Sequence, residues 1–493
     1  MGKESYCQPR QTSLSVVKTK NKNKLCRSTP APKTGIVHLG LGAFFRAHSA
    51  IYIKEAMAHS GGDWGVVGVS MRSPGVRDKL VKQGCLYTAL ELSKQGLKSQ
   101  VVDVVTSVLF APEDPNTVLR EMAAETTRIV SLTITEKGYC RGGGDTALDF
   151  DHPDIKHDLR NPVPKSAPGF LLRALEMRRR QGLRPFTVLS LDNLPANGKL
   201  TRQIVCELAV QIDPDLAHWI EKECKFPCSM VDRIVPATTD AVIERAYSIS
   251  GYQDPVVVSH EPFRQWVVED DFVDSVRPAF EATGVQLVDD VEPFEHLKLR
   301  MLNGTHSALA YLGIVAGYEV VAEAIRDEGI ERFIDDLWRE EITESLVSPP
   351  NTNLNEYARQ LKSRYRNLEI RHLLEQIAMD GSQKLPQRIL APLFENLSAG
   401  KPYKRFLMVV AAWFRYIESR SKYAQPGLHD PLQEELIRAA RRASDDGALT
   451  ENLLQIVPVF GDLPTYWIAN ELVAILGQIG DIYDTAQLEG VRQ

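Results

Sequence analysis

The chain has 493 residues, a formal net charge of −6, and 43% hydrophobic and 25% charged residues. That length is enough for two or three domains and a sizeable core, and the charge excludes a general nucleic-acid binder or a polybasic membrane-surface protein. No apolar run approaches the ~20 residues of a membrane-spanning helix, and seven cysteines scattered over so long a chain argue against a disulfide scaffold.

Residues 1–34 are polar and basic, with no apolar stretch long enough for a secretory leader. They read as a mobile tail, and a reduced, cytoplasmic setting follows by default. From residue 35 the pattern changes. IVHLG is a short apolar strand, RAHSAIYIKEAMAHS a helix, and WGVVGVS (64–70) a second buried strand. QVVDVVTSV, RIVSLTI and FTVLSLD read as later strands. The helical segments VLREMAAETT and LLRALEMRRR precede the last two. Apolar strands alternating with helices predict an α/β, Rossmann-like, doubly wound parallel sheet over 35–290. Beyond it the β-branched runs stop. Helical periodicity over 319–347, 357–378, 404–420, 431–444 and 465–479 predicts an all-α domain over 291–493. Cys224 and Cys228 in CKFPC lack further ligands at zinc spacing, so they are expected to pack and no metal is expected.

IVHLGLGAFFRAH sets Gly40 and Gly42 directly after a strand and before a helix. There, glycine permits the tight turn and lets the backbone approach a pyrophosphate at the helix N-terminus. The third glycine of G-x-G-x-x-G is replaced by Phe45, so an ordinary strand–helix turn is the competing reading. The expected cofactor-binding set is Gly40, Gly42, Ala43, Phe44 and Arg46; Arg46 could add charge to a phosphate or face solvent. The second strand ends Val69-Ser70-Met71-Arg72, without the acid that holds the adenosine ribose of NAD. NAD is expected and NADP stays open.

KLRMLNGTHSALAYLG (298–313) is apolar yet carries Lys298, Asn303 and His306. On an ideal helix spanning 294–313, Asn303 lies about 140° and His306 about 80° around from Lys298, all within one half of the surface. Glu295 lies one turn earlier. One reading is a satisfied interior Lys–Glu pair with a core histidine. The other is catalytic: burial brings a lysine toward neutrality, where it accepts a proton from an alcohol, while an asparagine amide donates to a developing alkoxide. The chain has no Tyr-x-x-x-Lys pair and no Cys/His/Glu zinc set, so Lys298 is the best available base for alcohol oxidation.

The segments HLGLGAFFRAH, IVSLTITEKGYC, FTVLSLDNLPANG, MVDRIVPAT, EPFRQWVVEDDFV, KLRMLNGTHS and AMDGSQKLPQR together resemble the mannitol dehydrogenase family, the long-chain, zinc-independent polyol and sugar-acid dehydrogenases. The resemblance runs from residue 35 to the C-terminus. It implies Lys298 as general base, with Asn193 and Asn303 at the oxyanion. It also implies His306, Asp232 and Lys384 on the substrate, Glu295 and Glu136 on a proton path, and an active site between two domains. Where the mannitol branch places a polyol-binding arginine, this chain has Gln376. That departure, with EKGYC, HPDIKHDL and EPFRQW, resembles the fructuronate reductase (D-mannonate oxidoreductase) branch. Arg371, His372, Lys384 and Arg388 are then candidates to meet a substrate carboxylate. Against this, GAFFRAH departs from that branch's usual GAFHRAH, with Phe45 in place of a histidine, and LFAPED and AAWFRYI resemble mannitol dehydrogenases. D-Mannonate/D-fructuronate is the expected substrate pair, with mannitol/fructose as the alternative. A catalytically silent dinucleotide-binding module is the non-enzymatic alternative. Ion pairing of Asp232 with Arg233 and turn roles for Asn193 and Asn197 are the structural alternatives.

Overall fold

The computed structural model describes residues 24–142, 147–422 and 427–479. Its strands are β1 (Thr34–Leu39), β2 (Gly65–Ser70), β3 (Tyr87–Ser93), β4 (Gly96–Val102), β5 (Val105–Phe110), β6 (Ile129–Leu132), β7 (Thr187–Ser190), β8 (Ser229–Asp232), β9 (Val258–His260), β10 (Gln265–Glu269) and β11 (Gln286–Val288). Five of them form the parallel sheet that the apolar runs predict, in the order β5-β2-β1-β6-β7. Chain order reverses between β1 and β6, which makes the crevice beyond their carboxyl ends the expected ligand site. Helices cover both faces, as the wholly buried β2, β6 and β7 and the β1 residues after Thr34 require.

Two small mixed sheets were not foreseen: β4-β3-β9 and β11-β10-β8. QVVDVVTSV, read as one strand, is two. Its first part closes an antiparallel hairpin with β3, and Val105–Phe110 joins β2 in the parallel sheet. Residues 1–23 of the expected tail lie outside the described residues. Nearer β1, Leu25 is buried and Arg27 donates to the carbonyls of Asp103 and Val105 at 2.5 and 2.8 Å.

Beyond β11 the described chain is helical. Leu309, Leu312 and Val315 pack against Trp413, Phe414 and Ile417 of the long helix Lys404–Lys422. The predicted helix over 319–347 is broken at Asp327, whose carboxylate caps a new start by accepting from Gly329 and Ile330 N–H. That over 357–378 ends at Tyr365 and resumes at Leu374. The predicted helix after Gly42 breaks at His48, where φ is −125° and ψ −87°. The helix through Lys298 also departs from the ideal. Residues Lys298–Gly304 form a π-helical turn between Glu292–Leu297 and Thr305–Val315, so the 100° wheel does not apply across it. Trp338 Nε1 and Tyr365 OH donate to the carbonyls of Met301 and Leu302 in this turn, at 3.3 and 3.2 Å.

Candidate active site

Burial and hydrogen bonding settle what the glycine turn can do. Gly40 has φ +91°, and a Cβ there would lie 2.1 Å from the carbonyl oxygen of Thr133. Only glycine permits this close crossing of the β1 and β6 ends. Gly42 is exposed, and a Cβ on it would meet only the Gly40 oxygen, at 3.7 Å. A cleft of about 380 Å³ opens here, lined by Gly40, Gly42, Ser70, Arg72, Thr133 and Lys137 among others. An open backbone cradle at the reversal of strand order fits a dinucleotide. Phe45, at the third glycine position of the G-x-G-x-x-G spacing, stacks on buried His38 with centroids 3.6 Å apart. His38 in turn bonds Ser131 and Thr133 side chains, both at 2.9 Å. Ala43 and Phe44 are half-buried, Phe44 stacking on His48. Arg46 does not face solvent: it is buried, with its guanidinium on the carbonyls of Gly42 and Val256 and over the Tyr87 ring. Gly40→Ala is expected to weaken NADH binding at least about tenfold by displacing the β1–β6 crossing. Fluorescence titration checks this, and an unchanged Kd would contradict the cradle.

Lys298 is buried at 8% exposure, and its Nζ donates to Asn193 Oδ1 at 2.6 Å and to the Val231 carbonyl at 2.5 Å. Burial lowers its pKa from the ordinary 10.5; Asp232 opposes this, and Arg364 and Arg388 assist it. Two N–H donors is the complement of a neutral amine, whose lone pair is left for a third direction. The bond also orients Asn193: with Oδ1 facing the amine, its NH₂ faces away, available as a donor. Asn303 is half-buried in the same π turn, and its side chain makes no hydrogen bond with a described residue.

His306 is buried with Nε2 unpartnered, and burial, followed by His372 and Arg364, holds it well below 6.5 and hence neutral. Its ring lies 5.2 Å from that of His372, which burial lowers to about 4 and whose Nδ1 is also unpartnered. Arg388 approaches Asn303 O and Ser307 Oγ at long distances, 3.5 and 3.4 Å, with Nε buried and unpartnered. Its backbone comes close because residue 304 is glycine: a Cβ there would lie 3.1 Å from the Arg388 oxygen. Lys384 donates to the Ile377 and Met379 carbonyls at 3.2 and 2.5 Å. Burial and the charge of Arg388 lower its pKa. Glu295 accepts from Ala196 N–H at 3.1 Å, its other oxygen is buried without a partner, and burial raises it to about 7.

Of the other expected site residues, some are exposed and others are held by bonds of their own. Arg371 is exposed and paired with Glu319 at 2.5 Å, so it offers no free cation to a substrate. Gln376 is exposed, and Glu136 lies exposed in the turn Glu136–Tyr139 without a hydrogen bond to Glu295. Asn197 is structural: its amide holds Asp192 O and Ser229 O at 3.0 and 2.8 Å. Asp232 does not pair with Arg233, whose guanidinium bonds the carbonyls of Ala47 and Glu261. Its partner is Arg364, which the sequence reading missed. Arg364 Nη1 and Nη2 bond both Asp232 oxygens at 2.6 and 3.0 Å, while Nε and Nη2 bond Glu261 at 2.9 and 2.7 Å. Within helix Leu354–Tyr365 this arginine reads like any basic residue. Glu261, inside EPFRQW, was the traceable half of the pair. Among the described residues no cluster of His, Cys, Asp and Glu could hold a metal, and burial pushes the Cys228 thiol up to about 11.

A parallel sheet ending in a glycine cradle, and a buried amine bonded to an amide, are features that a nicotinamide-dependent alcohol dehydrogenase would use. The chain belongs to the mannitol dehydrogenase family: residues 34–282 match the mannitol dehydrogenase Rossmann domain and residues 290–479 the mannitol dehydrogenase C-terminal domain. It is 44% identical to D-mannonate oxidoreductase of Escherichia coli (strain K12), over 78% of this chain and 80% of that one. It is 40% identical to mannitol 2-dehydrogenase of Aspergillus terreus, over 88% and 87% of the two chains. The structure of Pseudomonas fluorescens mannitol 2-dehydrogenase in complex with NAD and D-mannitol matches with a TM-score of 0.80 at 35% identity, over 94% of each chain. The chain is thus an NAD-dependent dehydrogenase acting on CH–OH groups of polyols or sugar acids.

Proposed function

We propose that this chain interconverts D-mannonate and D-fructuronate, with Lys298 as general base. The observation that carries the substrate is Arg388: a guanidinium beside Asn303, near enough to act electrostatically on Lys298 and His306, with no carboxylate partner among the described residues and a buried Nε left unpaired. An unpaired buried cation wants an anion, and a sugar acid brings one. The likeness to D-mannonate oxidoreductase supports the same reading. Mannitol and fructose are the second reading, favoured by the fold match to mannitol 2-dehydrogenase bound to D-mannitol.

A nicotinamide held at the Gly40–Gly42 cradle would supply the acceptor for the hydride that leaves the carbinol carbon. Lys298, neutral through burial, takes the hydroxyl proton. The NH₂ groups of Asn193 and Asn303 donate to the oxygen as charge gathers there. Neutral His306 fixes the same hydroxyl end, and Lys384 stands beside Arg388 at the other. Glu295, one turn before the base and with a pKa about 7, passes the proton on toward solvent. Reduction reverses each step, with Lys298 protonating the alkoxide.

Rates with fructuronate, tagaturonate and fructose, each with NADH and NADPH, test the proposal. Fructuronate with NADH should give the highest kcat/KM; a preference for fructose would move the assignment to mannitol. Arg388→Gln should raise KM for fructuronate about 10–100-fold, the loss of one charged hydrogen bond, and leave fructose less affected. Asn303→Ala should lower kcat about 10²–10³-fold; a loss confined to KM would contradict its place at the oxyanion.

A further inference from the structure

Asp232 follows Val231, whose carbonyl holds the Lys298 amine, yet the two side chains share no hydrogen bond. Both Asp232 oxygens go to Arg364. The same guanidinium grips Glu261 with Nε and Nη2, and its plane lies 4.1 Å over the Phe263 ring. Exposure of these side chains is 4% for Arg364, 6% for Asp232 and 1% for Glu261. Glu261 also accepts from Ile234 N–H at 2.6 Å, so one arginine from the helical region holds the Asp232 side chain and, through Glu261, the backbone two residues beyond it.

A free carboxylate this close to a buried lysine would pair with it and keep it charged, and so useless as a base. The other groups acting on the amine are Arg388, from the π turn Pro386–Leu390, and Glu295; His48 faces Asp232 from the first helical region and is neutral, lowered to about 3 by burial. None of them occupies both Asp232 oxygens. We propose that Arg364 is a positioning residue for the reaction: by forking onto Asp232 and Glu261 it withholds Asp232 from Lys298 and so keeps the base uncharged. This rests on the reading of Lys298 as the base.

The experiment is the pH dependence of kcat/KM for alcohol oxidation, in which the acid limb reports protonation of the base. Arg364→Lys keeps the charge but loses the fork. Its limb should move to higher pH by about one unit or more, as for a carboxylate newly paired with a lysine. Adding Asp232→Asn to that variant should return the limb to the wild-type position or below. Asp232→Asn alone should move it to lower pH, which keeps the test available if Arg364→Lys does not fold. An arginine that merely held the fold would lower rates or stability with the limb in place, and a limb unmoved in these variants overturns the proposal. Lys298→Ala separates the two levels. If it retains turnover, the base assignment fails; if it abolishes turnover while the limb stays put in the other variants, only the role of Arg364 fails.

Discussion

Lys298→Ala is expected to lower kcat by about 10²–10⁴-fold, the usual contribution of a positioned base, while NADH binding is retained. The separation follows from geometry. The amine contacts Asn193 and Val231, whereas the cofactor cradle is built by Gly40, Gly42 and the β6 end. Truncation also frees the Asn193 amide, so some of the loss is misdirection of a donor. Stopped-flow turnover beside a fluorescence titration of NADH measures both. Near-normal turnover would remove the lysine from the mechanism.

Arg364→Met is expected to destabilise the fold by about 3–5 kcal/mol, because it strands two buried carboxylates without their cation. The residue links helix Leu354–Tyr365 to the end of β8 and to the residue after β9, so the α/β and helical regions should loosen against each other. A lower urea midpoint of unfolding checks this. A variant that also replaces Asp232 and Glu261 with neutral residues should recover part of the loss, since it leaves no stranded charge. A midpoint unchanged in Arg364→Met would mean that the cluster contributes nothing to holding these regions together.

Local signals made the sheet and the base legible. Val37, Val67, Val130 and Val188 lie in runs apolar enough to be strands buried on both faces, and the parallel order follows from the helices between them. Lys298 stood out because a charge in so apolar a helix needs a reason. Pairings that depend on distant chain were not legible. Nothing in QVVDVVTSV marks Asp103 as the break between a hairpin and a parallel strand. The π turn at Lys298–Gly304 is held partly by Trp338 and Tyr365, side chains 37 and 63 residues from the carbonyls they reach. The burial of Arg46 is illegible for the same reason: its partner, Val256 O, is 210 residues away. Arg371 and Arg388, equally basic in sequence, differ only in that one meets Glu319 at the surface and the other meets no acid inside.

The central claim is that the Lys298 amine is uncharged in the folded protein at working pH. Its titration can be followed directly, by NMR of the protein labelled with ¹⁵N in its lysine side chains, with Lys298→Arg assigning the signal. The account predicts a transition below the ordinary 10.5, since burial lowers it, and one that leaves the amine uncharged at the pH of turnover. An amine that stays charged up to that value would contradict it.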